Sequence, residues 1–287
     1  MSYVIFSDSG SDLSNSRAQE LNVKIIPLLY TIKNETYDSI TDELMKFTYD
    51  SLKQKEKVST SCANIYTIQN ALEEELKKGN DVLYIAFSSG LSATYANGVE
   101  ACKNLKELYP NRKVFILDSL CASGGLALLL INACLLRDQG KSIDEVVSFV
   151  EENKLRLTHL FTVDEMYYLY SGGRITKSTY LIARFAQIKP IMHVTDDGKL
   201  TATDKVIGRR KSLNTIISKT VESIENPEEQ IIFISHGNCL EDAEYIKRKL
   251  LEKITVKDVI IDYIAPVIGV HSGPGTMAVF YFSKHRI

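Results

Sequence analysis

Short apolar runs alternate with longer mixed stretches through the first half of the chain. Tyr3–Phe6, Ile25–Tyr30, Val82–Phe87 and Val114–Leu117 have the length and the β-branched or aromatic content of strands, and segments such as Ile65–Lys78 between them read as helices. Strand–helix alternation of this kind predicts a parallel sheet with crossover helices. The longest apolar stretch, Leu126–Leu136, is interrupted by Asn132. It falls short of the roughly 20 residues that span a bilayer, and a buried helix is expected there.

Near residue 158 the pattern changes. A strand around Leu160–Val163 and two helical segments precede the runs Ile188–Val194 and Lys199–Val206, joined across Asp197-Gly198. Asp-Gly between two strand-like runs is a hairpin signal, because glycine takes the positive φ that the tight turn needs. A helix from about Arg209 to Ile224, the strand Ile231–Ser235, a helix to about Lys253, and the strands Val259–Ile264 and Thr276–Phe282 follow. The expectation is an α/β protein of two domains. Residues 1–158 carry the parallel sheet, and residues 159–287 form an α+β unit with a mixed or antiparallel sheet.

Composition removes several function classes. A formal charge of −2, from 34 basic and 36 acidic residues, leaves no basic footprint for nucleic acid, and membrane contact is expected to be transient at most. Met1–Asp8 lacks the basic region of a secretory leader and reads as a first strand. Cys62, Cys102, Cys121, Cys134 and Cys239 are scattered without a C-x-x-C pair, as expected of reduced thiols in the cytoplasm. The five histidines are dispersed, and no dinucleotide fingerprint follows the first strand, so neither a metal nor a cofactor is expected.

Three strands of the first half end in small polar residues: Ser7–Asp12, Ser88–Ser92 and Asp118-Ser119. Ligands of open α/β sheets bind outside the carboxyl ends of the strands, where hydroxyls and free helix N–H groups converge, and an anionic head group suits such a place. Ser88-Ser89-Gly90-Leu91-Ser92 is the richest cluster and exceeds what a helix cap needs. Ahead of the Ile65 helix, either Thr60 or Ser61 meets the same ligand, or Asn64 or Ser61 simply caps the helix. Cys62 as a nucleophile would need a paired base that sequence does not place. Gly172-Gly173-Arg174 reads first as a helix C-cap with a surface arginine, though that guanidinium is also suited to an anion. Ile268–Gly275 reads as a glycine-rich loop between strands, with His271 either simply solvated or presented by a fixed backbone.

Asp8-Ser9-x-x-Asp12-Leu13, Thr60-Ser61, Ser88-Ser89-Gly90-Leu91-Ser92-x-Thr94-Tyr95, Gly172-Gly173-Arg174-Ile175 and Ile268-Gly269-x-His271-x-Gly273-Pro274-Gly275 together resemble the signature of the DegV family, in register from residue 3 to about 282. The resemblance implies a Rossmann-like N-terminal domain and an α/β C-terminal domain enclosing a long-chain fatty acid such as palmitate. It implies that Thr60 and Ser92 hold the carboxylate, with Ser61, Ser89, Gly90, Arg174 and His271 beside it. It further implies a non-catalytic role like that of FakB, which presents the fatty acid to a separate ATP-dependent fatty acid kinase. Two departures bear on head-group geometry: Cys62-Ala63-Asn64 stands where the family often has Gln-Pro-Ser, and Ala93 where it has glycine. Two other readings stay open, a hydrolase using Ser92 with His236 or His271 as base, and a sugar-phosphate binder.

Overall fold

The structure, a computed structural model describing residues 2–182 and 188–286, sorts its strands into three sheets. Four parallel strands run in the order Val23–Ile26, Tyr3–Asp8, Asp81–Ala86, Val114–Asp118. All six residues of Asp81–Ala86 are buried, as a strand covered on both faces requires. A second sheet of six strands has the order Leu200–Ile207, Ile188–Val194, Leu157–Thr162, Met277–Phe282, Ile231–His236, Asp258–Tyr263. Its last pair is parallel and the others are antiparallel. The α/β class, with a parallel first sheet and a mixed second one, is as the sequence pattern predicts.

The small third sheet is not predicted. Glu35–Tyr37, Leu29–Ile32 and Val58–Ser61 pair antiparallel around Leu29–Ile32. The run Ile25–Tyr30, expected as one strand, is two: Val23–Ile26 belongs to the parallel sheet and Leu29–Ile32 to the small one. Pro27 lies between them and has no N–H to continue a ladder. Thr60 and Ser61 therefore sit on an edge strand that ends at the loop before the helix Ile65–Lys77, which Asn64 caps by accepting from Thr67 N–H at 2.8 Å.

The helix Gly124–Asp138, buried along most of its length, lies between the two large sheets. A Cβ at Gly124 would stand 2.4 Å from Phe233, and one at Gly125 would stand 2.3 Å from His159 Nε2, so glycine lets the helix start press onto the second sheet. The Asp197-Gly198 hairpin, with Gly198 at φ +75°, reaches back the other way. Ser88 Oγ donates to Gly198 O at 2.8 Å, and a Cβ at Gly90 would meet Asp197 O at 2.6 Å.

Arg286 ties these segments together. Its guanidinium, in a side chain that is largely buried, donates to Leu157 O at 3.0 Å, to Leu120 O and Thr195 O at 2.9 Å each, and to Lys154 O at 2.5 Å.

Candidate functional site

A cavity of about 310 Å³ opens where the small sheet, the ends of the parallel strands and the inner face of the second sheet meet. Thr60, Ser61, Ser92, Arg174 and His271, five of the residues picked out from sequence, line it together. Ser89 and Gly90 lie outside the lining. Ser89 N–H donates to Asp118 at 3.1 Å, and Gly90 packs on the hairpin. The rest of the wall is mostly apolar, with Phe161, Val194, Ala278 and Phe280 all buried.

The polar end begins at Arg174. Gly172 and Gly173 follow the helix Tyr167–Ser171, Gly173 takes φ +74°, and the chain turns so that the guanidinium points inward. It donates to Gly172 O, to Leu91 O at 3.2 Å and toward His271 Nδ1 at 3.5 Å. None of these acceptors carries a charge, and among the described residues no carboxylate pairs with Arg174. Burial pushes its pKa down, yet an arginine keeps its charge at any working pH.

His271 relays this arrangement to Thr60. Burial, and then the nearby Arg174 charge, lower its pKa to about 3, so the ring is neutral. Arginine only donates; Nδ1 must therefore be the acceptor and Nε2 must carry the hydrogen. Nε2 lies 2.7 Å from Thr60 Oγ1. Thr60 accepts from it and keeps its own hydroxyl proton for a group in the cavity. Gly172 makes room for the ring, since a Cβ there would stand 2.2 Å from His271 Nδ1.

The segment expected as a loop around His271 is instead a helix, Pro266–Ser272, with His271 in its last turn. Pro266 at the first position fits a helix start because its missing N–H would be unpaired there anyway. The glycines act after the helix, at φ +81° for Gly273 and +78° for Gly275.

On the opposite side Ser92 precedes the helix Thr94–Leu108. Its Oγ accepts from Thr94 N–H at 3.2 Å and lies 2.9 Å from Thr94 Oγ1. Among the described residues no imidazole bonds Ser92. His271 is turned to Thr60, and His236, outside the cavity, accepts from Cys239 N–H at 3.3 Å. Cys62 also lines the mouth, with the Asn97 amide 3.5 Å from its sulfur.

Sequence reasoning missed Ser123, His159, Ser272 and Thr276, polar residues deeper in the wall. Only folding of the two sheets onto one another brings them there. The buried neighbour Asp12 accepts from Ser123 Oγ and from Ala265 N–H at 2.9 Å, which joins the first half to the helix carrying His271.

A protein-family model described as "Uncharacterised protein, DegV family" matches residues 2–284, and the chain belongs to the DegV family. It is 43% identical to the DegV domain-containing protein CPE0026 of Clostridium perfringens, over 99% of this chain and 98% of that one. Among solved structures it resembles DegV of Bacillus subtilis, described as a fatty acid binding protein, with 25% identity, a TM-score of 0.85, and coverage of 99% of this chain and 100% of that one. The Streptococcus pneumoniae fatty acid kinase B3 protein, loaded with linoleic acid, shares the fold at 20% identity and a TM-score of 0.87, with the same coverage.

Proposed function

We propose that this protein binds a long-chain fatty acid between its N-terminal domain (1–158) and C-terminal domain (159–287) and performs no chemistry on it alone. The observation that carries this reading is the uncompensated Arg174 charge behind the His271–Thr60 relay, at the more polar end of a mostly apolar cavity. A buried anion costs several kcal/mol unless its oxygens receive hydrogen bonds. Thr60, Ser61 and Ser92 supply hydroxyls for it, and Arg174 supplies the field. An apolar tail of about fifteen carbons contributes roughly 12 kcal/mol of gross driving force, at ~0.8 kcal/mol per methylene before ordering costs. The tail sets affinity, and the head group sets orientation.

The gradient of exposure supports presentation to a partner. Ser61 and Ala93 are exposed and Thr60 and Ser92 half-buried, whereas His159, Val194 and Phe280 are almost wholly covered. A carboxylate held at the mouth is reachable by a separate ATP-dependent kinase, and acyl-phosphate formation there is the finer part of the proposal. The proposed setting is the cytoplasm, with at most transient membrane contact. Among the described residues no helix is long and apolar enough to cross a membrane.

Extraction of the denatured protein followed by mass spectrometry tests the reading directly. Near-stoichiometric fatty acid is expected, and Thr60→Ala with Ser92→Ala together should weaken palmitate binding about tenfold or more while the fold is retained. A protein that carries no lipid and also rejects added palmitate would overturn it.

A further inference from the structure

The two segments that carry the head-group hydroxyls are each anchored on the second half of the chain. Thr60 lies 2.7 Å from His271 Nε2, and the segment leading to Ser92 is held by the bond from Arg174 to Leu91 O at 3.2 Å. Within the first half a single side chain joins them. Asn97, half-buried in the first turn of the helix Thr94–Leu108, donates through Nδ2 to Ala63 O at 2.8 Å and toward Cys62 Sγ at 3.5 Å. Among the described residues no other hydrogen bond links residues 58–64 to residues 88–97.

Both hydrogens of this amide are used. One goes to a carbonyl and the other to a sulfur, so Cys62-Ala63 is held at two points. The reverse orientation would set Oδ1 against Ala63 O, acceptor against acceptor, and the chemistry of the neighbours therefore decides how the amide lies. Ala63 is 3% exposed, and no other donor among the described residues reaches its carbonyl. Without Asn97 that carbonyl has to turn toward water, because a buried backbone acceptor is rarely left unpaired. Thr60 and Ser61, three and two residues earlier on the same strand end, would turn with it.

We infer that Asn97 is a positioning residue for the head group: it holds the strand end carrying Thr60 and Ser61 at a fixed distance from the helix start carrying Ser92, and so sets the span across which a carboxylate is gripped. The inference rests on the fatty-acid reading. Asn97 itself lies outside the cavity lining and acts through the two arms. A hydrogen bond weakens steeply once it is turned off line, so a two-armed grip depends on the spacing of its arms. Burial of an apolar tail is non-directional and does not. The effect of Asn97 therefore falls on the head group and spares the tail.

The test compares palmitate with hexadecanol, a tail of the same length under an uncharged hydroxyl, by displacement of a fluorescent fatty acid from the full chain. Asn97→Ala, a substitution that favours the helix, should weaken palmitate about fivefold to tenfold and hexadecanol less than about twofold. Made on Ser92→Ala, where one arm is already gone, it should cost palmitate less than about twofold more. Asn97→Asp, similar in shape but without the two donors, should show the same loss confined to the head group, and it decides where the alanine variant fails to fold. Equal weakening of both lipids overturns the inference, since loss of packing at the mouth would give that. Unchanged palmitate affinity overturns it too, as does a full loss that persists on Ser92→Ala; this last comparison decides alone where hexadecanol binds too weakly to rank. Failure of palmitate to bind the wild type would instead remove the fatty-acid reading on which the inference stands.

Discussion

The two halves of the molecule bury different ionisable groups close to their shared boundary. The parallel-sheet half contributes carboxyls, Asp8 and Asp12, at the end of its first strand, and burial raises them to about 6 and about 7. The second half contributes imidazoles: His159 well below its ordinary value, His236 at about 4 and His271 at about 3, again chiefly through burial. One cause moves acids up and bases down, and in both cases the neutral form is favoured. The consequence for stability is a cancellation. Each histidine contributes stability that is present above about 6.5 and is lost as pH falls toward its folded value. Each carboxyl contributes stability that is present below about 3.9 and is lost as pH rises through its folded value. Between pH 4.5 and 6, roughly, the two sets oppose each other.

The contact between the halves breaks most readily at Gly125. An alanine there would drive its Cβ into the His159 ring, which is wholly buried with Nε2 accepting from Ala122 N–H at 3.2 Å. Gly125→Ala should lower the unfolding free energy by about 2–3 kcal/mol. Gly140→Ala, with φ +85° but open space around it, should cost only about 1 kcal/mol. Equal losses in urea titrations would refute the steric account.

Removing one arm of the cancellation is the next largest effect. Asp12→Asn should make stability fall more steeply on acidification below pH 6.5, by up to about 1.4 kcal/mol per pH unit, and His236→Gln should change the slope by a similar amount in the opposite sense. Urea titrations at three pH values read both slopes, and parallel profiles for wild type and variants would remove the opposition. The smallest effect belongs to the hairpin. Ser88→Ala deletes a buried bond to Gly198 O and should cost about 1 kcal/mol. Thermal unfolding checks it, and no loss would mean that packing at Gly90 alone holds the hairpin.

Period and turn chemistry expose much of this architecture in the sequence. The runs Val82–Phe87, Ile188–Val194 and Ile231–Ser235 are strands within a residue or so, and Asp197-Gly198 is the hairpin turn. The misreadings have local causes. Pro27 divides one apolar run between two sheets, a boundary that hydrophobicity does not mark. In Ile268–Gly275 the glycines draw attention away from Pro266, the residue that starts the helix. Thr60 and His271 are 211 positions apart, so their bond could be reached from sequence only through resemblance. The deeper wall, including Ser272 and Phe280, depends on how the two sheets pack, which local pattern does not encode.

The place of Met277–Phe282 in its sheet bears on the order in which the protein is built. This strand lies between Leu157–Thr162 and Ile231–His236, and follows both of them in sequence. Arg286, later still, gathers carbonyls from residues 120 to 195. On the ribosome the parallel sheet can form early, while the second sheet waits with its central position unfilled. The cavity wall carrying Thr276, Ala278 and Phe280 is therefore completed only after Met277–Phe282 has been made, and no shorter nascent chain has the finished cavity.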